Sequence, residues 1–259
     1  MLMFNNSSFK LNILISNDDG YKSKGISILS DIVSKFANIL VCSPEKNMSG
    51  SSNSLTLTRD LKISKVKDGF YYINGTPVDC VNLALRLIDI KPDFVFSGIN
   101  HGSNLGDDTL YSGTVAAAME GYLCGIPSIA FSLTDKSDKY WDTAKKVLEP
   151  LIKFLIFDNN KKLNLLNINI PNIFTNKING FKVVRLGRRE QTNIININTD
   201  EKGNNIYSIG DSGRSLDLGY EDDFSAIKKG YVSITPLTID LTSYEEVNIM
   251  KDIFNNFIL

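Results

Sequence analysis

One histidine, His101, stands among 259 residues. That excludes a zinc site built on several imidazoles and any mechanism that needs two of them. Acid-base or metal chemistry in this chain has to rest on Asp, Glu, Ser and Asn oxygens, or on His101 alone. Cysteine is scarce too: Cys42, Cys80 and Cys124 are odd in number, far apart and without a CxxC pair. Each lies in or beside an apolar run, so three buried free thiols in a reducing cytoplasm are expected. A basic excess is missing, with Lys+Arg 28 against Asp+Glu 29. Stable binding to nucleic acid or to an anionic membrane is therefore not expected. No apolar run approaches the ~20 residues of a membrane span. The opening MLMFNNSSFK has neither a basic n-region nor an apolar h-region, so it does not read as a secretory signal.

What is present is ordinary globular composition, 42% apolar and 22% charged. It suits one large α/β domain or two small ones. The 27 Asn and 30 Ile, with many Lys, point to an AT-rich genome, so scattered Asn carry little functional weight.

Short apolar runs alternate with helical periodicity over the first 160 residues. Leu11–Ser16 reads as a buried strand, Gly25–Ala37 as a helix with Ile26, Leu29, Ile32, Val33 and Phe36 on one face, and Asn38–Ser43 as a second strand. That is a βαβ unit with parallel strands. Leu55–Asn74 has β-like patches (LTLT, LKIS, FYYIN) around an Asp68-Gly69 turn and predicts a small hairpin. Thr76-Pro77 opens a helix carrying Val78, Val81, Leu85 and Ile88. Asp93–Ser97 is a strand, Gly98–Tyr111 a polar loop, Ser112–Gly125 an Ala-rich helix, Pro127–Ser132 a strand and Asp138–Phe157 a long amphipathic helix. The expected fold is a Rossmann-like, doubly wound, mainly parallel sheet over residues 11–160. After about residue 160 strands dominate: Leu163–Ile170, Phe181–Leu186, Asn193–Asn198, Ile206–Ile209 and Gly230–Thr235. Helices are expected at Glu221–Lys229 and Thr242–Phe257. Residues 161–259 are expected to form a β-rich arm or subunit contact.

Three polar loops follow predicted parallel strands: Asn17–Gly20, Pro44–Ser54 and Gly98–Ser112. In open α/β sheets the ligand lies at the carboxyl ends of the strands, so these loops should converge. The first carries adjacent carboxylates, Asp18 and Asp19, whose repulsion a hard divalent cation would relieve; an Asx-capped turn is the simpler reading. In the third, Gly98, Gly102 and Gly106 recur every fourth residue, a spacing that is neither a P-loop nor a dinucleotide fingerprint. Its Asn100 and Asn104 offer oxygens to a metal or N–H donors to a phosphate. The next helix begins at Ser112-Gly113-Thr114, where free N–H groups and the positive dipole end favour an anion. The middle loop offers Lys46, Asn47, Ser49 and Ser51, but taken alone it reads more readily as surface. His101 sits in the third loop, and a site of Asp and metal-bound water would not need it. Asp107 and Asp108 should cap or orient that loop. Arg188, Arg189 and Arg214 could meet a substrate anion, although isolated surface Arg is commoner.

These residues resemble a known family. Leu14–Gly20, Asn47-Met48-Ser49-Gly50 with Asn53-Ser54, Gly75-Thr76-Pro77 with Asp79-Cys80, Ser97–Asn100 with Gly102, Asn104–Asp108, Tyr111–Ala117 and Gly230–Leu237 are similar to motifs of the SurE (survival protein E) nucleotidases. The resemblance runs from about residue 11 to 243. It implies a metal-dependent phosphomonoesterase that hydrolyses nucleoside 5′- and 3′-monophosphates through a metal-activated water, and that could also act on short polyphosphate. By carry-over, Asp18, Asp19, Ser49 and Asn100 would hold one divalent ion per subunit, Mg²⁺ or Mn²⁺. Asp18 and Asp19 would be catalytic, and Asn104, Ser112, Gly113 and Thr114 would hold the phosphate. The resemblance also implies homodimers or homotetramers built by exchanged C-terminal arms. Met48, Lys22–Lys24 and His101 depart from the family's usual residues, so His101 inherits no role. A phosphatase for polyphosphate or another phosphomonoester, and a non-catalytic nucleotide- or metal-binding protein, are the alternative readings.

Overall fold

The computed structural model describes residues 10–87, 91–157, 163–190, 195–209, 213–255 and 257. The chain runs β1 (Asn12–Ser16), α1 (Lys24–Val33), β2 (Asn38–Pro44), β3 (Ile63–Lys67), β4 (Phe70–Ile73), α2 (Pro77–Leu87), β5 (Phe94–His101), α3 (Gly113–Leu123) and β6 (Ser128–Leu133). It continues with α4 (Trp141–Phe157), β7 (Leu165–Ile170), β8 (Phe181–Val183), β9 (Ile195–Thr199), β10 (Asn205–Ile209), α5 (Asp223–Lys228), β11 (Val232–Pro236) and α6 (Tyr244–Phe254).

Among the described residues, nine strands form one sheet in the order β3-β4-β2-β1-β5-β6-β7-β11-β8. From β4 through β7 every neighbour pairs in parallel. β3 and β11 run antiparallel to β4 and β7. The central strands β1, β2, β5, β6 and β7 are mostly buried because both faces are covered, while the edge strands β3 and β8 are largely exposed. Ile13 and Ile15 of β1 join a core with Leu29, Ile32, Leu148 and Ile152 from α1 and α4, while Leu14 between them joins Val81, Ala84 and Ala117 from α2 and α3. This is the doubly wound α/β architecture that the alternation predicts.

β1 has β2 on one side and β5 on the other. The chain moves outward from β1 to β2 and returns to β5, so the strand order reverses there. Loops leaving β1 and β5 diverge and open a crevice at the carboxyl edge of the sheet. Ser23 caps α1, and Gly25 in its first turn has no room for a side chain: a Cβ would lie 1.8 Å from the Ile99 carbonyl oxygen. α1 therefore seats directly on β5. Thr76 and Asp79 cap α2 reciprocally, Asp79 N–H donating to Thr76 Oγ1 (3.1 Å) and Thr76 N–H to Asp79 Oδ2 (2.8 Å).

Several expectations need correction. Leu55–Thr58 is not a strand: Thr56 is tied by its N–H and hydroxyl to Asp79 (2.9 and 2.6 Å), which pins the segment over the cap of α2. Gly98–Tyr111 is not one long loop. β5 runs on to His101, pairing Asn100 with Ser132 and His101 with Leu133, and Gly106–Leu110 is a 3₁₀ turn. Cys42 and Cys80 are buried, but Cys124 is exposed because it ends α3 at the surface. The change of pattern near residue 160 is no boundary of the sheet, since β7, β11 and β8 extend it. What stands apart is the β9–β10 hairpin, a separate two-stranded sheet, and α6, in which no described side chain is buried. Ile88, Asn193 and the first nine residues lie outside the described residues.

Candidate active site

β1 delivers Asn17-Asp18-Asp19-Gly20 to the crevice. Gly20 turns the chain at φ +93° with its Cβ position 3.0 Å from the Lys46 backbone, so the first and second loops touch through a glycine. Asn17 Nδ2 donates to the Gly20 carbonyl (3.0 Å) and Ser23 Oγ (2.7 Å), fastening the loop to the cap of α1. The Asp18 carbonyl accepts the Met48 N–H (2.7 Å), and Asp19 Oδ2 accepts the His101 N–H (3.0 Å). Ser52 closes the third side, its N–H donating to the Tyr111 carbonyl (3.1 Å) and its hydroxyl to the Leu110 carbonyl (2.6 Å). The three loops do converge.

They enclose a cleft of about 430 Å³ whose wall includes Asp18, Ser49, Asn100, Asn104 and Ser112. The other sequence-predicted residues stand just behind it. Asp19 is held beside the cleft by His101. Gly113 packs on Asp18 so closely that a Cβ would lie 2.8 Å from the Asp18 Cβ and from Ser51 Oγ. Thr114 is fully buried, and its hydroxyl donates to Asp18 Oδ1. Its side chain is thus spent on orienting Asp18. Ser112 is the N-cap of α3, its Oγ accepting the Val115 N–H (3.1 Å). Asn104 is fixed at three points: its N–H donates to Asn169 Oδ1 (2.9 Å), its carbonyl accepts from Asn167 (2.8 Å) and Asn169 (3.0 Å), and its Nδ2 donates to Ser132 Oγ (2.8 Å).

Sequence reasoning missed Asp135 and Lys136, which line the cleft from the loop after β6. The rule that picked the first three loops would have found them, because β6 is a parallel strand ending at the same edge. Arg189 reaches the cleft as well, clasping Asp108 through Nε and a terminal nitrogen (2.9 and 2.6 Å). His101 lines the cleft too. Its ring packs on Trp141 with centroids 5.5 Å apart, and its Nε2 lies 3.9 Å from Asp138.

Burial pushes the Asp18 carboxyl up to about 6, with the neighbouring Asp19 charge adding to the rise and the Thr114 hydroxyl opposing it. Asp19 is also raised by burial, against the pull of the His101 N–H and of the nearby His101 and Lys136 side chains. Two carboxylates reluctant to ionise side by side suit a cation. Among the described residues no three His, Cys, Asp or Glu side chains cluster as a metal site. A cation here would rest on the two carboxylates plus neutral oxygens. The donors fit a hard ion: Asp18 and Asp19 each commit one oxygen to a donor, and Asn100 spends its Nδ2 on the Gly102 carbonyl (2.8 Å), leaving Oδ1 as an acceptor.

The family model for Survival protein SurE matches residues 13–193. The 5′-nucleotidase SurE of Neisseria meningitidis serogroup C is 48% identical over 238 residues, 92% of this chain and 96% of the relative. The 5′-nucleotidase SurE of Methylobacillus flagellatus is 46% identical over 243 residues, 93% and 98% of the two chains. The crystal structure of the SurE protein from Aquifex aeolicus superimposes with a TM-score of 0.81 at 40% identity, covering 93% of this chain and 99% of that one.

Proposed function

Because the chain belongs to the SurE family, we propose that its cleft hydrolyses the phosphomonoester of nucleoside 5′- and 3′-monophosphates. Nucleotidase activity follows from the family and from relatives that carry that name. The observation that carries the reading to this chain is the meeting of the Asp18 and Asp19 carboxylates with the start of α3 in one cleft. Asp18, Asp19, Ser49 and Asn100 would hold one Mg²⁺ or Mn²⁺. When bound, that ion supplies a Lewis acid for the phosphoryl oxygens and acidifies a coordinated water.

The chain's own residues do the rest. Thr114 orients Asp18, and the His101 N–H orients Asp19. Asn104, Ser112, Gly113 and Thr114 would hold the phosphate at the positive dipole end of α3, with the Thr114 hydroxyl committed to Asp18. Lys136 adds a cation at the cleft wall. The buried Cys42 and Cys80 thiols, hydrogen-bonded to each other and not joined in a disulfide, support a cytoplasmic location, and no described helix is long and apolar enough to cross a membrane. The exposed apolar hairpin and α6 support a homodimer or homotetramer.

Phosphate release from 5′-AMP and 3′-AMP tests the reading. Release is expected with Mn²⁺ or Mg²⁺ and is expected to vanish with EDTA. Undiminished release in EDTA would remove the metal from the mechanism, and no release with metal present would remove the activity.

A further inference from the structure

Asp223 is fully buried, and neither the cation donors nor the phosphate donors make use of it. Its Oδ2 accepts the N–H of Gly106 (2.8 Å), and its Oδ1 accepts those of Gly187 (2.9 Å) and Phe224 (3.0 Å). Gly106 opens the 3₁₀ turn that separates Asn104 from Ser112. The turn lies against α5 with no slack: a Cβ on Gly106, at φ +51°, would lie 2.5 Å from the Phe224 ring and 2.7 Å from the Gly187 carbonyl oxygen. A Cβ on Gly187 would lie 2.6 Å from the same ring. Arg189 stacks its guanidinium on the other part of this cluster, 4.7 Å from the Phe224 centroid, and clasps Asp108 within the turn. Its N–H also donates to Asp107 (3.0 Å).

We infer that Asp223 is a positioning residue for the phosphate end of the cleft, fixing the Gly106 turn and with it the spacing between Asn104 and Ser112. Asn104 is anchored separately by Asn167 and Asn169. Loosening the Asp223 latch therefore moves the Ser112 end against a fixed Asn104, while Asp18 and Asp19 stay with β1. A carboxylate suits the place because it accepts N–H groups on both oxygens; an amide of the same shape would aim an N–H at one of those donors. The identity of what fills the cleft rests on the nucleotidase reading, but the latch itself does not.

Asp223→Asn tests it, with four readings on one protein. The KM for 5′-AMP and the inhibition constant of inorganic phosphate should each rise about tenfold, as expected for loss of a buried charge-assisted hydrogen bond. The affinity for Mn²⁺ should stay within about twofold, since Asp18, Asp19, Ser49 and Asn100 lie in the loops after β1 and β2 and in β5, away from the Gly106, Gly187 and Phe224 N–H groups that Asp223 holds. Hydrogen exchange over residues 103–111 should speed up while residues 12–20 are unchanged. Phe224→Leu, which keeps the carboxylate but removes the ring under Gly106, should act in the same direction with smaller size, and it carries the test if the first variant does not fold. Unchanged exchange over 103–111 in a folded variant would overturn the inference. So would parallel losses in Mn²⁺ affinity and in the protection of 12–20, which would mean general loosening. If the unmodified protein releases no phosphate from 5′-AMP, the nucleotidase reading fails, and the exchange arm still decides the latch.

Discussion

Asp18 occupies a place that costs the cation-free protein stability. Its carboxyl is raised from the ordinary 3.8 to about 6 in the folded chain. Between those values the folded chain keeps a proton that the unfolded chain has released, so stability falls as pH rises through that window. Above it the whole penalty, about 3 kcal/mol by linkage, is in place. A cation removes the penalty by favouring the ionised form. Thermal unfolding should therefore show a larger Mn²⁺-induced rise in Tm at pH 7.5 than at pH 5, where a proton competes for the site. Asp18→Asn should unfold at a higher temperature than the unmodified protein at pH 7.5 without metal, yet gain nothing from Mn²⁺. Equal metal-induced shifts at both pH values would contradict this account. At the same scale the sequence was legible in one respect and silent in another. The adjacent carboxylates announced themselves, but nothing in the spacing tied the Thr114 hydroxyl to Asp18. That contact depends on how closely α3 packs on the first loop.

That packing belongs to the elements. α3 approaches the first loop through Gly113, whose missing side chain lets the helix start lie against Asp18. Gly113→Ala should push α3 and the loop apart and reduce kcat/KM for 5′-AMP at least tenfold, while a surface glycine with open space around it, such as Gly125, should tolerate Ala far better for activity. Equal activity in Gly113→Ala would mean that the close contact is idle. The elements themselves were largely readable, because buried parallel strands and amphipathic helices leave strong periodic signals. The failures sit where tertiary pairing overrides local composition. A Gly/Asn stretch entered β5 because β6 offers partners for Asn100 and His101, and a β-like LTLT stayed out of the sheet because Thr56 found Asp79. The loop after β6 was overlooked because TDKSDK carries no glycine pattern or paired carboxylates to draw notice.

At the scale of the whole molecule, exposed apolar side chains occur on many elements, and among the described residues two of those elements, the β9–β10 hairpin and α6, each carry several together. Along the β9–β10 hairpin Ile195 stands opposite Ile209 and Ile197 opposite Tyr207, so one face carries all four, and each is well exposed. α6 exposes Val247, Ile249, Met250, Ile253 and Phe254. Such faces are what subunit contacts bury. Light scattering should find a dimer or tetramer, and Ile197→Lys with Tyr207→Lys should weaken or abolish it. A monomer at micromolar concentration in the unmodified protein would contradict the proposal. The near-neutral charge and the doubly wound fold were both legible in composition and order. That β7, β8 and β11 would rejoin the main sheet was not, since such pairings join segments far apart in sequence.

An oxygen-donor cation site, with the lone imidazole outside the chemistry, should leave a clear signature in the steady-state hydrolysis of 5′-AMP at saturating Mn²⁺. His101→Ala should keep most of the activity while Asp18→Ala loses nearly all of it, a difference of at least about 10³-fold in kcat/KM. A folded, Mn²⁺-binding His101→Ala protein as inactive as Asp18→Ala would put the imidazole in the reaction and refute the oxygen-donor site.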